Sequence, residues 1–225
     1  MRAGLAFVLT LAVEAALAAD AAAQGERERR LAAELVVVAG DLRRLEAGAE
    51  PALQREGLRA RVGGALASLP LMLRRAGADA GSVPALRDAL ERRDWRALGA
   101  GVEKLRERHP FDARALLPPE AAPDRLRLGA AIHRQACAGC HDAPRVDTLL
   151  PAIDLFEMAK RMPREEFAAR LLLGVRGDRG TAWRNPFGDP EIGAMAACYL
   201  AGRTCSGEAR AAAGPVTASR ATSGR

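Results

Sequence analysis

Cys137-Ala138-Gly139-Cys140-His141 holds the residues of this chain whose types and spacing can do chemistry. Thiols three residues apart on a helix share a face, and a histidine directly after the second brings an imidazole to the same end. C-x-x-C-H is the attachment pattern of a c-type haem. Each thiol adds across one vinyl group to make a thioether, and the imidazole supplies a nitrogen to the iron. Two other chemistries use a C-x-x-C pair. A dithiol redox centre needs a βαβ setting, and a zinc site needs a second ligand pair at a usable spacing. Neither accompanies the motif, because Cys198 and Cys205 lie far downstream with no histidine pair beside them. The expected cofactor is one covalent haem c, bound through Cys137 and Cys140, with His141 as the metal ligand.

Haem of this type is attached outside the cytoplasm in bacteria, and the N-terminus agrees with export. Arg2 precedes an apolar run from Leu5 to Val13, Glu14 ends it, and Ala16-Leu17-Ala18 or Ala21-Ala22-Ala23 offers a small-residue cleavage site. The run is too short to span a bilayer, so residues 1–18 read as a signal peptide, with no stable membrane span after cleavage. The expected compartment is the periplasm.

The 225 residues leave room for one or two small domains behind that signal. Lys104 and Lys160 are the only lysines, and the formal charge of +6 is carried by arginines interspersed with acids, as in Glu26-Arg27-Glu28-Arg29-Arg30. No basic stripe with interleaved aromatics is present, which argues against a nucleic-acid partner.

The elements that must position the motif read as helices throughout. Leu31, Leu35, Val38, Leu42 and Leu45 form one stripe. Glu50-Pro51 opens a second helix bearing Leu58, Val62, Leu66 and Leu73, which Pro70 is expected to kink or break after Leu69. Ser82 and Asp94 are candidate N-caps for helices bearing Leu86 and Leu90, then Trp95, Leu98, Val102 and Leu105. Residues 26–110 are therefore expected to form an antiparallel helical bundle, and their apolar stripes its core. His109-Pro110 ends the last helix, and residues 111–123, with Pro118, Pro119 and Pro123, read as a semi-rigid linker. No catalytic constellation is visible in the bundle, which reads as a docking module or a structural one.

Beyond the linker, Gly129 stands eight residues before Cys137, and a terminal helix from Pro190 to Ala201 carries Ile192, Met195 and Tyr199 on one side. With the C-x-x-C-H motif, these features make residues 124–205 resemble the class I mono-haem cytochrome c family. That resemblance implies an all-α wrap around haem, in which the first and last helices cross closely at Gly129 and Tyr199 packs at the crossing. It also implies that the carbonyl of Pro151, ten residues after His141, accepts a hydrogen bond from the proximal imidazole and strengthens it as a donor. An ordinary turn proline is the alternative. Further helices are expected around Asp154 to Lys160 and from Pro163 to Leu173.

Two departures from the family pattern matter. His133 replaces the aromatic four residues before Cys137 and is expected to pack at the helix crossing rather than ligate iron. Trp183 stands where the family offers a methionine thioether, so the ordinary sixth ligand is missing. Met162 or Met158 can take its place, His109 or Met72 can be donated by the bundle, or the position stays open; Met195 reads as core. Cys198 and Cys205 form a disulfide only if Gly202 ends the helix and lets the chain fold back; buried thiols are the alternative. Residues 206–225 read as a disordered tail.

The expected function is single-electron transfer between redox partner proteins, with the bundle available for docking, by an electron carrier rather than an enzyme. An open iron that binds small ligands or reacts with peroxide, and a haem subunit docked on a larger oxidoreductase, are the alternatives.

Overall fold

The computed structural model describes residues 3–117, 122–144, 147–176, 182–183 and 185–206, with side chains over 25–117, 122–144, 147–174 and 185–205. The fold is all-α, as expected. Helix α1 (Ala3–Ala47) is followed by α2 (Ala52–Arg75), α3 (Val83–Glu91) and α4 (Trp95–Arg108). The C-terminal half holds α5 (Pro123–Ile132), α6 (Ala138–His141), α7 (Leu155–Arg161), α8 (Arg164–Leu173) and α9 (Asp189–Ala201). A two-residue antiparallel ladder, Val175 opposite Trp183 and Arg176 opposite Ala182, is the only β pairing among the described residues. The expected signal segment falls within α1 from Ala3 onward, its side chains outside the described residues, as is the tail beyond Ser206. No helix among the described residues is long and apolar enough to cross a membrane.

Helix α1 packs on α2 and α4, and α3 joins those two. Leu31, Leu35, Val38, Leu42 and Leu45 enter the first core with Leu58, Val62, Leu66, Leu73, Leu98, Val102 and Leu105. The opposite side of α1 is equally apolar. Ala33, Val36 and Val37 enter a second core with Phe156, Phe167, Ile192 and Tyr199. Helix α1 is thus apolar nearly all round from Leu31 to Leu42, as a helix buried between two layers must be. It belongs to both halves of the molecule rather than to the first alone.

Residues 111–117 correct the expected linker. Leu116 is fully buried in the second core, with Phe111, Ala113 and Leu117 packed against it. Pro118 and Pro119 lie outside the described residues.

Two further expectations are corrected locally. Pro70 does not end α2, which continues to Arg75. A proline cannot donate to the carbonyl four residues back, so Leu66 O loses its helical partner. Arg87 of α3 takes over: its Nη2 donates to Leu66 O at 3.1 Å and to Ala67 O at 3.3 Å. Ser82 occupies the N-cap position of α3 but makes no capping hydrogen bond, whereas Asp94 caps α4 by accepting from Ala97 N at 3.0 Å.

A buried ionic cluster ties α1 and α2 to α8. Asp41, 1 % exposed, accepts from Arg61 Nε and Nη2 at 2.6 Å each, from Arg170 Nη2 at 2.6 Å, and from Arg44. Arg170 also reaches Glu166 Oε1 at 2.6 Å, and Arg43 reaches Glu166 Oε2 at 2.7 Å. Glu166 lies across Gly40, where an added Cβ would meet its Oε1 at 2.1 Å. Burial alone would raise the Asp41 carboxyl, but Arg170, Arg61 and Arg44 overcome it and hold the group well below the usual carboxylate range.

A group with a depressed folded-state pKa stabilises the fold in full above its ordinary value, here 3.8, and loses that contribution as the pH falls below it. Asp41→Asn is expected to cost about 3 kcal/mol, because it strands buried arginine charge. Urea denaturation at pH 7 checks the loss, and the gap between wild type and variant should narrow as the pH is lowered through 3.8. Arg87→Ala is expected to cost about 1 kcal/mol by leaving Leu66 O without a protein donor, read by the same method.

Candidate functional site

The C-x-x-C-H motif sits at the end of one nearly continuous helical run. Helix α5 passes through a π-helical turn, His133–Cys137, into α6. A π turn inserts an extra residue and rotates the helix beyond it. The result leaves Cys137 half-buried against the second core and Cys140 exposed, both as free thiols. This π turn carries no sequence signal that periodicity could detect.

The run is fixed against α9 by a close crossing. A Cβ on Gly129 would lie 2.2 Å from Ala194 O and 2.8 Å from Cys198 Cβ, so only glycine allows this approach. Tyr199 is fully buried there, edge-on to Phe156 and Phe167 with ring centroids 5.1 and 5.9 Å away. Gly202, at φ 86°, ends α9 in the left-handed region and turns the chain back, and Cys198 pairs with Cys205 across a Cα separation of 5.3 Å. The fold-back that the disulfide required is present.

His133 is buried at the same crossing. Its Nε2 lies 3.1 Å from Asp142 Oδ1 and its Nδ1 lies 3.1 Å from Tyr199 Oη. A carboxylate accepts, so Nε2 carries the proton and donates, and in the neutral ring Nδ1 accepts from the Tyr199 hydroxyl. Tyr199 also interacts with the Cys137 thiol. A polar chain therefore runs from Cys137 through Tyr199 and His133 to Asp142, the residue directly after His141. Burial pushes the Tyr199 phenol far up and raises the Cys137 thiol. A redox dithiol needs a lowered thiol pKa, so the environment of Cys137 disfavours that chemistry.

His141 Nδ1 lies 2.6 Å from the carbonyl oxygen of Ile153. The expected acceptor, Pro151, is corrected to Ile153, two residues further on. Chain geometry explains the displacement. Leu149 runs against α2, where a Cβ on Gly57 would meet Leu149 O at 2.0 Å, while Asp154 is anchored as the N-cap of α7 by Phe156 N at 2.8 Å and Glu157 N at 3.3 Å. Between these anchors, Ile153 is the residue whose carbonyl meets the imidazole. Arg203 pairs with Asp154, lies 3.7 Å from Asp142, and stacks over Phe156 at 4.9 Å, drawing the motif's end and the start of α7 together.

This bond has a chemical consequence. A carbonyl only accepts, so Nδ1 holds the proton and Nε2 carries the lone pair, the form in which an imidazole ligates a metal. Two free thiols and an Nε2 lone pair form a donor set that fits a covalent haem. No group of three or more His, Cys, Asp or Glu suited to a metal ion occurs among the described residues.

The candidate sixth ligands separate by location. Met158 and Met162 are half-buried against the second core, to which Cys137 also packs. Met195 is buried core, as expected. Met72 packs against the first core, and His109 lines a cleft with Arg29, Asp79 and Asp112. The side chain of Trp183 lies outside the described residues. Compared with known proteins, the chain matches no family model, no curated protein and no solved structure.

Tyr199→Phe removes the hydroxyl that serves His133. It is expected to cost about 1–2 kcal/mol in urea denaturation, through the buried His133 Nδ1 left without its donor.

Proposed function

We propose that this chain is a periplasmic c-type cytochrome that carries single electrons between redox partner proteins through one covalent haem. The observation that carries the reading is His141, set by its bond to Ile153 O to present Nε2 directly after two free thiols at C-x-x-C spacing. When bound, haem supplies an iron that cycles between ferrous and ferric states. The protein's own residues do the rest. Cys137 and Cys140 anchor the macrocycle by thioethers, His141 donates to the metal, and Ile153 O holds the imidazole in its tautomer and raises its basicity. The Gly129 crossing and the Cys198–Cys205 bridge keep the helix that bears the motif from shifting.

The test is expression of the chain with haem-attachment machinery, then denaturation and spectroscopy. Haem should stay with the denatured polypeptide, and Cys137→Ala together with Cys140→Ala should abolish attachment. Absence of covalent haem in the wild type would overturn the reading. An electron carrier with a saturated iron should give a low-spin spectrum that carbon monoxide leaves unchanged. If Met162→Ala or Met158→Ala converts it to a carbon-monoxide-binding form, that residue is the sixth ligand. A wild-type ferrous form that binds carbon monoxide at once would instead mark an open site for small ligands or peroxide.

A further inference from the structure

Gly57 is an interior glycine of α2, a position where glycine costs about 1 kcal/mol relative to alanine. The backbone of Leu149 explains it. A Cβ at residue 57 would lie 2.0 Å from Leu149 O, 2.6 Å from Leu149 C and 3.1 Å from Leu149 Cβ. The first two atoms are backbone and cannot rotate aside as a side chain can. By contrast, a Cβ on Gly64 of the same helix would meet nothing within 4 Å.

Leu149 begins the short strap that ends in Ile153, the hydrogen-bond acceptor of His141. The far end of the strap is immobilised, because Asp154 caps α7 and pairs with Arg203. Residues 150–153 link Leu149 to that held end, so a displacement at Leu149 bears through them on the carbonyl at 2.6 Å from Nδ1.

We propose that Gly57 is a positioning residue for His141: by letting α2 seat the strap, the N-terminal half of the chain sets the hydrogen bond that fixes the imidazole's tautomer and donor strength. Its link to the iron rests on the haem reading above; its link to the imidazole does not. A weakened bond leaves less negative charge on the ring, so the imidazole stabilises ferric iron less and the midpoint potential rises.

Gly57→Ala, Gly57→Val and the control Gly64→Ala are compared in the full chain with haem attached. The two Gly57 variants should favour the ferrous state, by about tenfold for Gly57→Val, which is about 59 mV for a one-electron couple. Gly64→Ala should match the wild type. Leu149→Gly, which loosens the strap from its own side and does not burden α2, should shift the potential in the same direction and keeps the test valid if Gly57→Val fails to fold. In the haem-free full chain, nitrogen NMR of His141 should show the Nδ1–H tautomer dominant in the wild type and mixed tautomers in Gly57→Ala. Unchanged tautomer populations and unchanged potentials in Gly57→Ala and Leu149→Gly would overturn the proposal. A tautomer shift in a chain that never attaches haem would uphold it while overturning the haem reading.

Discussion

A helix that is apolar nearly all round has to be enclosed, and that constraint governs this molecule. The segment of α1 from Leu31 to Leu42 has no face to offer to water, so one set of helices must cover Leu31, Leu35 and Val38 and another must cover Ala33, Val36 and Val37. The two cores form back to back on one spine. Asp41 lies inside this arrangement, and a lone buried carboxylate there would be prohibitive. Its arginine partners come from α1, α2 and α8, so Arg44 and Arg61 compensate the charge within the N-terminal half and Arg170 adds the partner that spans the two halves. Apolar burial draws the halves together without much regard for angle. The ionic cluster and the glycine contact at Gly40 set which face of α8 meets which turn of α1.

That docking reaches the candidate site through a chain of packed helices. Helix α8 is fastened to α1, and Asn185 donates to Leu171 O, tying the segment before α9 to α8. Helix α9 crosses α5 at Gly129, and α5 leads through the π turn into Cys137, Cys140 and His141. On the other side α2 meets the strap that ends in the acceptor of His141. The imidazole is held from two directions, one within the C-terminal half and one from the N-terminal half. A single hydrogen-bond acceptor is enough to define its chemistry, since only one ring nitrogen can keep the lone pair.

Features that depend on local chemistry or on an unusual amino acid are legible in the residues alone. The C-x-x-C-H spacing names the donor atoms of the candidate site directly. The glycine at 129, the helix-ending glycine at 202 and the Asp94 cap each act within a few residues or through a missing side chain, and each stands in its expected place. The failures share a different character. Of the kink or break expected at Pro70, the break does not occur; the replacement donor, Arg87, comes from another helix and has no signature near Pro70. Pro151 yields its expected role to Ile153, in a segment that passes close to α2 at Gly57 and has no signature of that contact near His141. The second stripe on α1 is present in plain view as Ala33, Val36 and Val37. Reading a single stripe assigns the helix to one half, where an apolar run on every side signals two.

The glycines show where that legibility stops. Gly129 can be understood from its distance to the motif, because the helix that needs the space lies in the same half of the chain. Gly57 is chemically identical, yet the backbone that needs its space lies at Leu149, in a segment that no periodicity would pair with α2. A glycine in a helix interior announces that something passes close by, and the cost of placing it there says that the contact matters. Its partner is a property of the tertiary fold. Here that partner is the strap behind His141, which turns an added helical half from an appendage into part of the histidine's environment.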